Sequence, residues 1–316
     1  MHIKAIGGYN EIGRNCTAAQ IGDEVFLLDL GVHLDNYIQF TENENQLHFD
    51  AEEMIDAGAV PNIRELGAWQ HNVKALLPTH AHLDHMGAIP FIGHYFDCPV
   101  LGTPFTTSVI KTVLKNEGIR LPNFIKTVEE NSRVQLTDNV TAEYIHVTHS
   151  TPHTAMIALH TPEGVVLYAN DFKFDRTPTF GEPPNFKRLE ELGKRGVKCL
   201  IADSTYSTKE GRMPSEAEAD WRLREILLEG DTNGKAIIVT TFSSHIARLR
   251  AIIDCAKKLN RRVMFLGRSL AKYATAAEAV DLCNFSDQVE MVRFRKQISR
   301  TLKQIMNEKE KYVFAA

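Results

Sequence analysis

Residues Thr79 to His85 read Thr-His-Ala-His-Leu-Asp-His, which puts three histidines and an aspartate within six positions. The run begins just after the apolar stretch Val73-Lys74-Ala75-Leu76-Leu77 and Pro78. Neutral imidazoles and a carboxylate at this density, on a loop leaving a strand, suit zinc or a similar borderline divalent cation. One loop cannot fill two coordination spheres, so further donors must come from elsewhere. His149 follows a predicted strand ending near Ile145, and Asp171 follows another around Val165 to Ala169. Strand ends are where loops carry function. Asp29 lies at the end of the predicted strand Val25 to Leu30, which Gly31 closes, and is placed to orient a ligand histidine. Taken singly, His149 and Asp171 would each read as a cap or a surface residue.

The elements that position these residues fall into two textures. The first half alternates short apolar runs with turns, which predicts strands at Val25–Leu30, Val73–Leu77, Pro99–Gly102, Val140–Ile145, Met156–Leu159 and Val165–Ala169, with a short helix from Ser108 to Asn116. Residues 34–70 read as a polar, irregular insertion centred on Thr41-Glu42-Asn43-Glu44-Asn45-Gln46. From about residue 208 helices alternate with strands: helix Pro214–Leu228, strand Ala236–Thr240, helix Ile246–Leu259, strand Arg262–Leu266 and helix Leu270–Leu282. Strands joined by crossover helices imply a parallel α/β sheet. The expected boundary lies near Thr205–Arg212, giving modules 1–207 and 208–316.

Composition narrows the class. With 316 residues, 43% hydrophobic and 24% charged, the chain has ample core and is not disordered. No apolar run approaches the roughly 20 residues of a membrane span, so no membrane partner is expected. The start, Met1 to Gly8, lacks the apolar core of a signal peptide. Five widely spaced cysteines without a C-x-x-C pair argue for free thiols in a reducing compartment, hence a cytoplasmic location. Net charge is −4, but residues 1–175 carry −12 and residues 176–316 carry +8. An acidic module joined to a basic one suggests that the second half faces an anion.

Asp29, the His80–His85 cluster, His149 and Asp171 resemble, in order and spacing, the motifs of the metallo-β-lactamase superfamily. Gly7-Gly8-Tyr9-Asn10-Glu11-Ile12-Gly13-Arg14-Asn15 resembles the opening of the β-CASP nucleases. Asp171-Phe172-Lys173-Phe174-Asp175, Ala202-Asp203-Ser204-Thr205-Tyr206 and Thr240-Thr241-Phe242-Ser243-Ser244-His245-Ile246 are similar to ribonuclease J, in its archaeal branch. The resemblance implies an α/β fold: a metallo-β-lactamase αββα sandwich followed by a partial β-CASP parallel α/β domain. It implies that His80, His82 and His149 hold one Zn2+, that Asp84 and His85 hold a second, and that Asp171 bridges them. Asp84 and Asp203 would be catalytic, Asp203 helping near the leaving oxygen. The implied activity is hydrolysis of RNA phosphodiesters by two metals, as a 5′–3′ exoribonuclease with endonuclease capacity. Single-stranded RNA, entering by its 5′ end, and a second copy in a homodimer would be the partners.

The Thr240–Ile246 stretch ends a strand and starts a helix, where free backbone N–H groups favour phosphate. Ser243, Ser244 and His245 are candidates there, and Arg268 and Ser269 repeat the pattern after the next strand. Arg293-Phe294-Arg295-Lys296 and Arg261-Arg262 are basic stretches that would steer an RNA backbone or simply face solvent. The family pattern also includes a histidine in a Gly-His-rich loop, a later histidine completing the second zinc site, and a return of chain into the first domain. None of these is in the sequence, so the second site is expected to be one ligand short. Two rival readings are an inactive RNA-binding subunit of a processing complex and a small-molecule hydrolase on the same fold. The intact ligand set counts against the first, and the basic α/β half against the second.

Overall fold

Two largely buried strands, β3 (Glu24–Leu28) and β4 (Val73–Leu77), run parallel at the centre of a six-stranded sheet. The computed structural model describes residues 1–42 and 50–316. Around this pair the sheet adds β1 (His2–Gly7), β2 (Cys16–Ile21), β5 (Val100–Gly102) and β6 (Ile125–Thr127), in the spatial order β1-β2-β3-β4-β5-β6. Its helices are α1 (Leu34–Glu42), α2 (Ala51–Asp56), α3 (Leu83–Met86), α4 (Ile89–Ile92) and α5 (Pro104–Glu117). The second sheet contains β7 (Ser132–Gln135), β8 (Thr141–His146), β9 (Ala155–Thr161), β10 (Gly164–Ala169) and β11 (Cys199–Ala202), ordered β11-β10-β9-β8-β7.

Side-chain alternation along the strands welds these sheets together. Phe26, Leu28, Ala75 and Leu77 from the first sheet meet Ala142, Tyr144, Ile157, Leu159, Val166 and Tyr168 from the second in one buried core. The Tyr144 hydroxyl crosses that core and donates to the Leu101 carbonyl at 2.6 Å, so its burial leaves no orphan donor. The intervening residues Ile145, Met156, Ala158 and Leu167 point the other way and are covered by α6 (Phe186–Arg195) through Leu192.

The second compact unit comprises Ser150–Pro152, Lys173–Pro183 and Lys209–Ala316, while Met1–His149, His153–Phe172 and Pro184–Thr208 form the first. In the second unit, β12 (Ile237–Val239), β13 (Arg262–Leu266), β14 (Val289–Val292) and β15 (Tyr312–Ala315) make an all-parallel sheet ordered β12-β15-β13-β14. Helices α7 (Glu216–Arg224), α8 (Ile246–Lys258), α9 (Arg268–Glu278) and α10 (Arg295–Gln304) complete it. The Ser215 hydroxyl accepts from the Ala217 N–H and starts α7.

The structure corrects the expectation of an irregular insertion over 34–70. Residues 34–42 and 51–56 are helical, and Ile63–Asn72 is a kinked 3₁₀ segment. Asp50 starts α2 by accepting from the Glu52 and Glu53 N–H groups. The centre of the expected insertion, Asn43 to Gln46, lies outside the described residues. The helix expected at Ser108–Asn116 begins four residues earlier, because Pro104 occupies the first turn, where its missing N–H costs nothing. The helix expected at 270–282 runs instead from Arg268 to Glu278, and the one expected at 214–228 ends at Arg224 in a π-helical turn, Glu225–Glu229.

Glu143 ties α6 to the second sheet. Its carboxylate accepts from Arg188 Nε at 2.7 Å, Arg188 Nη2 at 3.0 Å and His160 Nε2 at 2.7 Å. Burial alone would raise its pKa, but the bonds from Arg188, His160 and Arg133 outweigh it and push it down to about 2. A carboxylate depressed on folding stabilises the native state above its ordinary pKa and loses that contribution as pH falls through the folded value. Stability should therefore erode between about pH 4.5 and pH 2. Glu143→Gln should cost on the order of 1–3 kcal/mol at neutral pH and flatten that acid limb, as read by urea unfolding at a series of pH values.

Candidate metal centre

Strand direction brings the candidate ligands to one edge. β3 and β4 are parallel, so Asp29 and the Thr79–His85 loop leave the same end of the first sheet. β8 and β10 are both antiparallel to β9, and β11 is parallel to β10. His149, Asp171 and Asp203 therefore all follow the ends of strands that run the same way.

The Gly-rich opening segment holds the histidine loop. Asn15 N–H donates to the Asp84 carbonyl at 3.1 Å, and Leu30 and Val32 N–H groups donate to the His85 and Leu83 carbonyls at 2.7 and 2.9 Å. The loop lies so close to Gly31 that a Cβ there would sit 1.6 Å from the Asp84 carbonyl oxygen, so only glycine fits. The Asn15 side-chain amide adds a 3.0 Å bond to that same oxygen.

Four donors converge. His80 Nε2 and His149 Nε2 lie 3.0 and 3.2 Å from His82 Nδ1. Asp171 Oδ2 lies 3.5 Å from His149 Nε2 and 4.0 Å from His80 Nε2. All four ligand atoms are within 4.8 Å of one another. In a tetrahedral site with bonds of ~2.0–2.1 Å the donor–donor edge is about 3.3–3.4 Å, so this spacing fits a small cation between them. The imidazoles are also in the right protonation state. Burial and the neighbouring histidines hold His80 well below its ordinary pKa and push His82 down to about 3, leaving neutral lone pairs.

A second group of donors, Asp84, His85 and Asp171, shares Asp171 with the first. His85 Nε2 is 3.5 Å from both Asp84 Oδ2 and Asp171 Oδ2. Burial alone would lower His85, but Asp29 and Asp84 outweigh it and hold its pKa well above the usual imidazole range. The same contacts hold Asp84 and Asp171 below the usual carboxylate range against the opposing effect of burial. Asp171 also has a positive φ of 22°, an uncommon backbone for a non-glycine residue.

Asp29, 1% exposed, organises this arrangement from beneath. It accepts from Thr79 N–H at 2.7 Å and Thr79 Oγ1 at 2.9 Å, and its Oδ2 lies 2.8 Å from His85 Nδ1. Thr79 Oγ1 in turn lies 3.0 Å from His80 Nδ1, and the Asn170 amide reaches Asp29 Oδ2 at 3.4 Å. Asn15, Thr79 and Asn170 were not visible as site residues in the sequence, because each acts through a tertiary contact that no local spacing announces.

Asp203 is not among the converging donors. Its Oδ1 accepts from Thr205 N–H at 2.8 Å and Thr205 Oγ1 at 2.5 Å, a local turn that leaves Oδ2 unused by that turn. In the second unit Ser243 Oγ and Ser269 Oγ lie 2.7 Å apart, beside the exposed Arg268. Ser244 and His245 are buried, and His245 Nε2 faces Glu216 Oε2 at 3.4 Å. All five cysteines are free, and burial pushes the Cys98 thiol up to about 12.

Residues 9–232 match the metallo-β-lactamase superfamily, and residues 234–306 match the β-CASP domain of ribonuclease J. Ribonuclease J of Methanocaldococcus jannaschii is 38% identical, over all of this chain and 71% of that protein. Ribonuclease J of Pyrococcus abyssi is 38% identical over 98% of this chain and 68% of its own length, and that of Thermus thermophilus 31% over 92% and 48%. A crystal structure of a protein of unknown function from Enterococcus faecalis shares the fold with a TM-score of 0.62, at 14% identity, over 99% of this chain and 87% of that one. If Asp29 orients the donors, Asp29→Asn, whose amide cannot accept from both Thr79 and His85, should weaken metal binding about 10–100-fold. Competition against a chromophoric chelator reads this directly, and unchanged affinity would remove Asp29 from the centre.

Proposed function

The chain belongs to the metallo-β-lactamase superfamily and, within it, to the ribonuclease J family, and from that membership we propose that it is a zinc-dependent ribonuclease hydrolysing RNA phosphodiesters, chiefly from the 5′ end. Its architecture is a metallo-β-lactamase domain followed by a β-CASP domain. The observation that carries the proposal is the pair of donor groups sharing Asp171. His80, His82, His149 and Asp171 would hold one ion, and Asp84, His85 and Asp171 the other. Bound there, two divalent ions supply Lewis acidity, making water more acidic and offsetting charge that develops on a phosphate.

The chain's own residues do the rest. The neutral imidazoles of His80 and His82 keep their lone pairs for coordination across the working pH range. Asp84 and Asp171, whose carboxyls lie below the usual carboxylate range, add negative charge that favours divalent over monovalent cations. Asp203, with Oδ2 not used in its turn, is the residue proposed to pass a proton to the leaving oxygen. Ser243, Ser269 and Arg268 are proposed to hold a backbone phosphate, since the Ser243 and Ser269 hydroxyls lie 2.7 Å apart and Arg268 is the first residue of α9. Ser244 and His245 are buried, and His245 faces Glu216 of α7, so Ser243 is the more accessible of the three.

The test uses RNA labelled at either end, incubated with metal-loaded protein. Release of labelled mononucleotide from the 5′ end first, abolished by chelation and restored by zinc, is the expected result. His80→Ala should lose metal at the first site and at least about 10³-fold in rate, given that the ions provide most of the charge stabilisation. Undiminished hydrolysis by His80→Ala, purified free of other nucleases, would place the chemistry elsewhere.

A further inference from the structure

Several cations of the second unit are answered by a carboxylate. Arg222 pairs with Glu218, Arg224 with Asp220, Lys235 with Asp231, Arg248 with Glu216, Arg262 with Glu290 and Lys311 with Glu308. One segment stands apart by having no acidic residue at all. From Met291 to Asn307 there is no Asp or Glu, yet Arg293, Arg295, Lys296, Arg300 and Lys303 are all exposed. Among the described residues none of these five makes an ion pair.

Their placement is ordered. Lys296, Arg300 and Lys303 stand at i, i+4 and i+7 of α10, on one face and about 4.5–6 Å apart along the axis. With Ser299 and Gln304 they line an open groove of about 460 Å³. At the head of the helix Phe294 is 61% exposed between Arg293 and Arg295. The opposite face is already used: Ile298, Leu302 and Ile305 pack against Met264, Val292, Tyr312 and Phe314.

We propose that the exposed face of α10, with Phe294, is a docking surface for single-stranded RNA, taking backbone phosphates along Lys296, Arg300 and Lys303 and one base on the Phe294 ring. The proposal rests on RNA being the substrate class. Unpaired cations in a row call for a polyanion. An exposed aromatic among them offers a stacking platform that a generic acidic partner does not use. An anionic membrane is disfavoured, since an interfacial helix needs a free apolar face and that of α10 is buried in the sheet. Such a surface grips without reading sequence.

The test measures binding of a long oligouridine to the whole chain by fluorescence anisotropy across a salt series. The triple variant K296A/R300A/K303A should bind at least tenfold more weakly at low salt. Its salt dependence should be shallower by about 2 in logarithmic slope, at about 0.7 per lost phosphate contact on a single strand. F294A should weaken binding about fivefold or more with the slope unchanged. The variant R222A/K235A/K311A removes the same charge from paired positions and should alter neither quantity. Equal losses in both triple variants, or no loss in the first, would overturn the proposal. So would binding to phosphatidylserine vesicles that depends on the same three residues while RNA binding does not. Hydrolysis of RNA by the wild type with no effect of α10 would overturn this surface alone. An α10-dependent grip on RNA without any metal-dependent hydrolysis would overturn the proposed activity and leave the surface standing.

Discussion

Asp29 ends β3 in a left-handed backbone, φ 61°, with a carboxylate that has almost no contact with water. A charge so placed is costly unless every lone pair is answered. Here Thr79 answers through its N–H and hydroxyl, and His85 through Nδ1. The carboxylate thereby fixes which nitrogen of His85 is left to face Asp84 and Asp171. Through the Thr79 hydroxyl it also reaches His80 Nδ1 and leaves Nε2 to face His82. One ring in each donor group, His80 in the first and His85 in the second, is therefore oriented from below by one buried anion.

That arrangement needs two sheets at a fixed spacing. Asp29 and the histidine loop come from the first sheet, while His149 and Asp171 come from the second. Interlocked Phe26, Leu28, Tyr144 and Tyr168 hold the separation, with the Tyr144–Leu101 bond crossing it. A packed core resists small displacements, and donors set to a few tenths of an ångström require that resistance. The opening segment with Asn15, pressed against Asp84 and Gly31, stiffens the remaining free side of the loop.

Much of this was legible before any coordinates. β4 was visible as an apolar run stopped by proline, and the donor-rich loop after it as a metal motif. The parallel sheet of the second unit could be read from alternating apolar runs and helices. Less visible were the three- and four-residue strands β6, β7 and β14, too short for alternation to register. α6 and α10 hid behind charge, since their apolar positions (Leu189 and Leu192; Ile298 and Leu302) are sparse among lysines and arginines. The 34–70 stretch looked irregular for the same reason, though Asp50 was a helix start with two acidic residues behind it. Serine and histidine in the Thr240–Ile246 turn looked alike as ligands. Only burial separates Ser243, beside Ser269, from Ser244 and His245.

The central claim is that imidazoles and carboxylates alone build the metal centre, and X-ray absorption at the zinc edge of the zinc-loaded chain tests it most directly. The account predicts nitrogen and oxygen neighbours at ~2.0–2.1 Å with outer-shell scattering from several imidazole rings. That imidazole signal should fall in a His149→Ala variant. Sulfur at ~2.3 Å, or a shell of light atoms without imidazole scattering, would contradict it.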